Sequence, residues 1–232
     1  MKVEIYSDIG CPWCYIGKTR FEKALAAYPK RDQVEVVYKA YQLNPDFPTD
    51  SAQAVPHDDY LMRRFGPNAK QMAANVTAVA AGEGLEFHTE KALIANSFAA
   101  HRLIAFAARE GGSALQKQVV AGLFRAQFTN GKNVSDPATL VAIAREAGLD
   151  GERTRTFLAS DELAAEVEAQ LAEGRMLGIT GVPTFVFEGK WGVSGAQESE
   201  SFLKILEQVD RELTAEMPVD EAHACQDGSC SV

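Results

Sequence analysis

The chain has 232 residues, 46% of them hydrophobic, and a formal net charge of −9. The apolar content is ample for a packed core of one or two domains. The negative charge argues against nucleic acid and anionic membranes as partners, because both repel an acidic surface, and no run approaches the ~18 uncharged apolar residues of a membrane span.

The first predicted element is a strand over residues 3–6. Glu4 and Asp8 interrupt the place where the apolar segment of an export signal would have to lie, so we expect a cytoplasmic protein. Cytoplasmic reducing pools keep ordinary thiols reduced, which argues against a disulfide scaffold for the four cysteines. The cysteines instead form two local pairs, one near each end of the sequence.

The first pair lies in the tetrapeptide Cys11-Pro12-Trp13-Cys14, where the strand gives way to a helical pattern and Pro12 suits a first helical position. Unpaired backbone N–H groups at the first turn of a helix stabilise a thiolate, which makes Cys11 the expected attacking sulfur. Cys14 is close enough to resolve a mixed disulfide. Half of a zinc site is the alternative, although zinc ribbons usually carry this spacing on a tight turn between short strands.

Apolar residues recur at helical spacing over residues 21–28, and residues 34–39 alternate as a second strand. The chain therefore begins with a β-α-β unit, for which we expect a right-handed crossover. Residues 43–56 are rich in Pro, Asp, Ser and Thr and predict a surface loop. Residues 58–177 are almost wholly helical in pattern, and one of the helices is predicted to begin at Ser160.

Residues 184–187 are predicted to form a strand. The chain then turns at residues 188–190 and runs back over residues 191–194, which predicts a β-hairpin. A last amphipathic helix is predicted over residues 197–213. The predicted order of elements is therefore β-α-β, then helices, then β-β-α.

This order, with a cysteine pair at the first helix, resembles the DsbA family, in which a helical insertion interrupts a thioredoxin fold. The segments that carry the resemblance are residues 6–8, 11–14, 96–103, 178–184 and 193–197. Together they are similar to the FrnE-type branch, the cytoplasmic DsbA-like proteins. The same branch includes 2-hydroxychromene-2-carboxylate isomerases and kappa-class glutathione transferases, in which a serine stands at the position of Cys11.

The resemblance implies an α/β protein, a thioredoxin fold with an inserted all-helical domain. The thioredoxin-like domain would comprise residues 1–44 and 178–214, and the helical insertion residues 45–177. A C-terminal tail with the second cysteine pair would comprise residues 215–232.

The resemblance also assigns Val182 and Pro183 to the site. Pro183 opens a strand, where it gives up no interior ladder bond. In thioredoxin folds this proline is cis and faces the cysteine pair, which leaves the backbone of Val182 free to pair with an extended peptide. Trp13 is expected to be exposed and to offer an apolar contact to an unfolded substrate.

The acidic residues depart from one feature of thioredoxin folds. Many oxidoreductases of this fold place a buried acid in the first strand to relay the proton of the resolving thiol, whereas Glu4 points away from the apolar face here. Asp8 is a weak substitute, and we expect it to be a loop or helix-entry acid. His101 is expected to be a hydrogen-bonded structural residue. No two histidines share a helix at ligand spacing, so no histidine-based metal site is predicted.

The second pair, Cys225 and Cys230, lies outside the family pattern. The residues between them can close a small ring, but such a ring adds little stability. We interpret Cys225 and Cys230 as a second redox pair on a tether. Residues 215–224 reach about 33–36 Å when fully extended, which is long enough to span the face of a small domain and meet Cys11. The alternatives are a disordered tail with incidental thiols and a four-sulfur zinc site built from both pairs, with His223 nearby.

Three functions remain. The first is a cofactor-free thiol–disulfide oxidoreductase or isomerase that acts on protein cysteines through Cys11 and Cys14, with glutathione or a thioredoxin-type reductant as a further partner. The second is a glutathione-dependent isomerase or transferase of the kappa-like branch, against which the cysteine at position 11 counts. The third is a zinc-binding or redox-sensing module.

Overall fold

The computed structural model describes residues 1–216. The strands are β1 (Lys2–Ser7), β2 (Glu35–Ala40), β3 (Val55–Pro56), β4 (Leu93–Ile94), β5 (Thr184–Phe187) and β6 (Trp191–Ser194). The α-helices are α1 (Pro12–Ala27), α2 (His57–Phe65), α3 (Ala69–Gly82), α4 (Phe98–Phe124), α5 (Pro137–Glu146), α6 (Gly151–Leu158), α7 (Ala164–Met176) and α8 (Ser199–Glu216). Among the described residues, no helix has the length and apolarity needed to cross a bilayer. The order of elements confirms the predicted thioredoxin fold with a helical insertion.

The main sheet has the strand order β2-β1-β5-β6. β1 runs parallel to β2 and antiparallel to β5, so that Ile5 lies opposite both Tyr38 and Phe185. An aromatic cluster joins the sheet to α1 and α8, since the ring of Phe21 lies 5.2 Å from that of Phe185 and 5.4 Å from that of Phe202. This cluster fixes α1, and with it the first turn that carries both cysteines, against the sheet.

The helical insertion packs directly on the thioredoxin-like part. The side-chain amide of Gln116 on α4 donates to the carbonyl of Tyr38 (3.0 Å) and accepts from the N–H of Tyr38 (2.9 Å), which covers the outer edge of β2. Leu103 and Phe124 of α4 belong to the same apolar cluster as Ile5 of β1. One continuous core therefore serves both parts, and the predicted domain boundaries stay a prediction.

Two local features differ from the sequence-based expectation. The insertion is not purely helical, because β3 and β4 form a short antiparallel ladder in which Val55 lies opposite Ile94; strands of two residues are too short to show an alternating pattern. The helix expected to begin at Ser160 begins four residues later, at Ala164. Leu163, just before it, has a left-handed backbone (φ 62°), which interrupts any earlier helical turn.

Candidate active site

The two N-terminal cysteines lie at the start of α1. Cys11 is the N-cap residue with an extended backbone, Pro12 occupies the first turn, and the N–H of Cys14 donates to the carbonyl of Cys11 (3.1 Å). Both are free thiols, and Cys14 is only 1% exposed. The Cys11 thiol, 5% exposed, is the more accessible of the two. The roles of Cys11 as the attacking sulfur and Cys14 as the resolving sulfur stay a prediction.

The loop before β5 approaches the same thiol. The Val182–Pro183 peptide bond is cis, as the resemblance implied. Cys11 Sγ lies 3.6 Å from the carbonyl oxygen of Val182, in position to donate to it. The structure thus brings together Cys11, Cys14, Val182 and Pro183, which are widely separated in the sequence.

Gly17 allows this approach, and sequence inspection did not single it out. A Cβ atom at this position of α1 would lie 2.8 Å from Cγ of Pro183 and 3.3 Å from Cβ of Ala196. Both contacts are tighter than normal packing permits, so only glycine lets the proline loop lie against the helix. A glycine inside an otherwise helical pattern is a signal of such close approach.

Asp8 fixes the connection between β1 and α1. The residue is 3% exposed, and its carboxylate accepts from the N–H groups of Gly10 (3.2 Å) and Leu43 (2.7 Å), while its carbonyl accepts from the N–H of Cys11 (3.0 Å). Burial alone would raise the pKa of Asp8, but His101, the Leu43 N–H and Ser97 outweigh burial and hold the pKa below its usual value. Asp8 is therefore a buried carboxylate that stays ionised and orders the turn before the cysteines.

His101 on α4 is the partner of this carboxylate. Its Nε2 lies 3.7 Å from Oδ1 of Asp8 and 2.9 Å from the carbonyl of Tyr41. Since a carbonyl only accepts, Nε2 carries a proton and donates to Tyr41. The expectation of a hydrogen-bonded structural histidine agrees with these contacts, and the pairing with Asp8 adds a link between the insertion and the cysteine loop.

The surroundings of Cys14 favour its neutral form. Burial, followed by the neighbouring Cys11, raises the pKa of the Cys14 thiol well above its usual value. Two donors from the end of β1 act in the opposite direction, the hydroxyl of Ser7 and the backbone N–H of Asp8. Cys14 is therefore a thiol at neutral pH, and any thiolate it forms faces these two donors.

A cavity of about 530 Å³ opens beside Cys11. Its lining includes the apolar side chains of Trp13, Leu43, Phe65, Met72, Val76 and Ile94. Trp13 is 42% exposed, as expected, and its contact with substrate stays a prediction. Helices α2 and α3 form much of the wall of this cavity, so the insertion shapes the access to Cys11. A larger groove of about 710 Å³ along α2 and α3 contains neither cysteine and lies outside this site.

The polar rim of this cavity is an ordered chain of side chains. The guanidinium of Arg64 donates to the hydroxyl of Tyr60 (3.0 Å), which donates to the side-chain oxygen of Asn44 (2.6 Å). Arg64 is the cation of the lining, and its charge faces the same space as the Cys11 sulfur. A substrate beside Cys11 therefore meets an apolar wall and one positive charge.

The profile of the DSBA-like thioredoxin domain family matches residues 2–207. The chain belongs to this family. A probable DsbA oxidoreductase from Streptomyces coelicolor is 40% identical in sequence and superimposes with a TM-score of 0.86, covering 100% of this chain and 99% of the other. Family membership supports thiol–disulfide oxidoreductase chemistry in general.

Two more distant structures share the fold of this DsbA-like protein. A 2-hydroxychromene-2-carboxylate isomerase is 18% identical with a TM-score of 0.67, and the match covers 94% of this chain and 100% of the isomerase. The cytosolic disulfide reductase DsbM from Pseudomonas aeruginosa, solved with GSH, is 19% identical with a TM-score of 0.63, covering 91% and 100%. At these identities the likeness shows the fold alone.

The first strand of this DsbA-like protein places no acid under the cysteines. Glu4 pairs with Lys2 (2.9 Å) and Lys39 (3.4 Å), whereas its neighbours Val3 and Ile5 belong to the apolar core. Successive side chains of a strand point to opposite faces, so Glu4 lies on the face away from the core. Cys225 and Cys230 lie outside the described residues.

Proposed function

We propose that this protein is a thiol–disulfide oxidoreductase or isomerase of protein cysteines, in which Cys11 attacks and Cys14 resolves. The position of Cys11 carries the proposal, because Cys11 is the N-cap residue of α1 and its sulfur lies beside the carbonyl of Val182 at the mouth of an apolar cavity. Trp13 and the cavity wall would contact apolar side chains of the substrate. The backbone of Val182 would pair with an extended segment next to the attacked disulfide.

The chemistry is two successive exchanges and needs no cofactor. The Cys11 thiolate attacks one sulfur of the substrate disulfide, and the other substrate sulfur leaves with the electron pair and takes up a proton. Cys14 then loses its proton and attacks the Cys11 sulfur, which closes the Cys11–Cys14 disulfide and releases the second substrate thiol. The substrate gains two electrons and the protein loses two, and the reverse sequence makes a disulfide.

Glutathione or a thioredoxin-type protein would return these electrons to the Cys11–Cys14 disulfide. The DsbM structure with GSH supports a thiol of this kind as a partner, through a shared fold. The same neighbour, described as cytosolic, supports the cytoplasm as the location, as does the resemblance to the FrnE-type branch.

The variant Cys14→Ser tests the order of attack. It retains the attacking sulfur but lacks the resolving one, so it is expected to accumulate protein adducts linked to Cys11. Non-reducing electrophoresis followed by mass mapping detects the adducts and their position. The matched control is the double variant Cys11→Ser/Cys14→Ser, which should form none at this site. Equal adduct formation by single and double variants would contradict the proposed roles.

The second pair, Cys225 and Cys230, would exchange electrons with the first. α8 runs parallel to α1, because Glu198, just before α8, pairs with Arg20 (2.8 Å), whereas Asp210 pairs with Lys30, just beyond α1 (2.6 Å). α8 therefore ends beyond the end of α1 that is remote from Cys11. The 16 residues of α1 span about 24 Å, and α8 continues about 9 Å past Asp210.

The distance that the tail must span to reach Cys11 is larger than the sequence alone suggested. Because α8 extends to Glu216, the tether to the second pair starts at residue 217 rather than 215. Residues 217–225 reach about 30–32 Å when fully extended and residues 217–230 about 46–50 Å, compared with the ~33 Å from Cys11 to the end of α8. Cys230 can therefore reach Cys11 within one chain, and placing the two pairs on different chains isolates exchange between chains.

Exchange between chains is expected to be second order in protein. One variant, Cys225→Ser/Cys230→Ser, is oxidised and carries only the Cys11–Cys14 disulfide. It is mixed with the reduced variant Cys11→Ser/Cys14→Ser, which carries only the second pair. The first variant should lose its disulfide at a rate proportional to the concentration of the second variant. Acid quenching and mass mapping measure the transfer. The reduced control lacking all four cysteines should leave the disulfide intact. No transfer above this control would rule out exchange between chains.

A further inference from the structure

Ser7, the last residue of β1, has a buried hydroxyl without a partner. Its side chain is 5% exposed, and its Oγ finds no hydrogen-bond partner anywhere in residues 1–216. A buried hydroxyl in this condition costs free energy, because it has given up water without replacing it. Such groups are rare in native proteins and call for an explanation at each position.

Ser7 lies beside Cys14, and its backbone is fixed there. The carbonyl of Ser7 accepts from the N–H of Tyr41 (3.1 Å), and the following residue, Asp8, is fixed by the N–H groups of Gly10 and Leu43. Ser7 cannot move away without breaking this network. A thiolate at Cys14 would accept a hydrogen bond from this hydroxyl, and the presence of Ser7 lowers the pKa of that thiol.

We propose that the Ser7 hydroxyl donates a hydrogen bond to the Cys14 thiolate as Cys14 resolves the mixed disulfide. The inference rests on the proposed function and deepens it. In the dithiol form the hydroxyl is unpaired, and the negative charge that forms on Cys14 supplies the missing acceptor. A hydrogen bond to a charged group is stronger than one between neutral groups. Ser7 thereby supplies stabilisation that no acid of the first strand provides.

Resolution by Cys14 is a thiol–disulfide exchange. The proton of the Cys14 thiol passes to the buffer, and the thiolate attacks the Cys11 sulfur of the mixed disulfide. The Cys11–Cys14 bond forms, and the bond between Cys11 and the leaving thiolate breaks, with the electron pair on the leaving group. Ser7 keeps its own proton throughout.

Other titratable groups also face this sulfur. Cys11 lies on the same turn, Asp8 adjoins it in the loop and is paired with His101 of α4, and Tyr38 approaches from β2. Burial, followed by Glu22 and Cys14, raises the pKa of Tyr38 well above its usual value. Each of these groups is retained when only Ser7 is changed.

Stopped-flow reaction with dithiobis(nitrobenzoate) separates the two steps. The full chain carries Cys225→Ser and Cys230→Ser, so that only the first pair reacts. The first release of thionitrobenzoate reports attack by Cys11, and the second reports resolution by Cys14. In the Ser7→Ala variant the second release is expected to be about tenfold slower at pH 7, and its pH midpoint about one pH unit higher. The first release should be unchanged.

Two further variants distinguish chemistry from structure. Ser135→Ala removes a hydroxyl of equal burial (5% exposed) that is bonded to Asn133, so it should lower thermal stability and leave the second release unchanged. Ser7→Ala should retain or raise thermal stability in the dithiol form, because the hydroxyl it removes is unpaired. Ser7→Thr keeps a hydroxyl and should restore the fast second release.

The outcomes for the two proposals differ. If the parent chain shows no second release, Cys14 does not resolve and the proposed function fails. If the parent shows it and Ser7→Ala has the same rate and pH midpoint, the role of Ser7 is overturned and the proposed function stands. A slow second release in both Ser7→Ala and Ser7→Thr would likewise overturn the role, because the hydroxyl alone would not restore the rate.

Discussion

Replacing Cys11 with serine is expected to reduce insulin-disulfide reduction and the refolding of scrambled ribonuclease to the uncatalysed rate. The sulfur of Cys11 forms the covalent bond to the substrate, and a serine hydroxyl at the same N-cap position cannot form it. The first turn of α1 would otherwise be preserved, because serine is a favoured N-cap residue. The loss should therefore be one of chemistry, with little change in the melting temperature.

The same variant separates the proposed function from the kappa-like alternative. Relatives of that branch carry serine at this position, so a glutathione-dependent isomerase or transferase would keep its activity in Cys11→Ser. Insulin reduction, followed as turbidity in the presence of a small dithiol, is the primary measurement, and transfer of glutathione to an electrophile is the parallel one. Cys14→Ser is the matched control and should retain a single turnover. Undiminished insulin reduction by Cys11→Ser would refute the proposed function.

The parts of the site that lie close together in the sequence could be predicted from it. The strand, the tetrapeptide from Cys11 to Cys14 and the following helix are local features, and each follows from backbone propensity and capping. The hairpin after Pro183 was predicted over the residues that form it, because its alternation and turn are also local. The approach of the Val182–Pro183 loop to Cys11 was expected from the family resemblance, since nothing local to these residues predicts it.

The missed features depend on contacts over long separations in sequence. Asp8 looked like an ordinary loop acid, because its partners Leu43 and His101 lie 35 and 93 residues away in the chain. Ser7 is a common strand residue whose importance appears only when its hydroxyl is found buried without a partner beside Cys14. Gly17 likewise gains its meaning from the proline loop that contacts it. Packing, rather than periodicity, gives these residues their roles.

Asp8→Ala is expected to destabilise the protein by about 3–5 kcal/mol at pH 7. The change leaves the buried N–H groups of Leu43 and Gly10 without an acceptor and removes the partner of His101. Chemical denaturation gives the free energy of unfolding. Asp46→Ala, in the exposed part of the neighbouring loop, is the matched control and should change it by less than about 0.5 kcal/mol.

The pH dependence identifies the ionised form of Asp8 as the stabilising one. Its pKa in the folded state is below the ordinary value of 3.8, so the unfolded chain binds its proton more tightly. The stabilisation is therefore present in full above that ordinary value and is lost as the pH falls through the lower pKa of the folded state. In Asp8→Asn, which keeps one acceptor oxygen but has no charge, this loss should be absent, and the stability curves of variant and parent should converge below pH 3.8. Parallel curves throughout the acid range would show that the charge of Asp8 does not stabilise the fold and that its hydrogen bonds alone hold the cysteine loop.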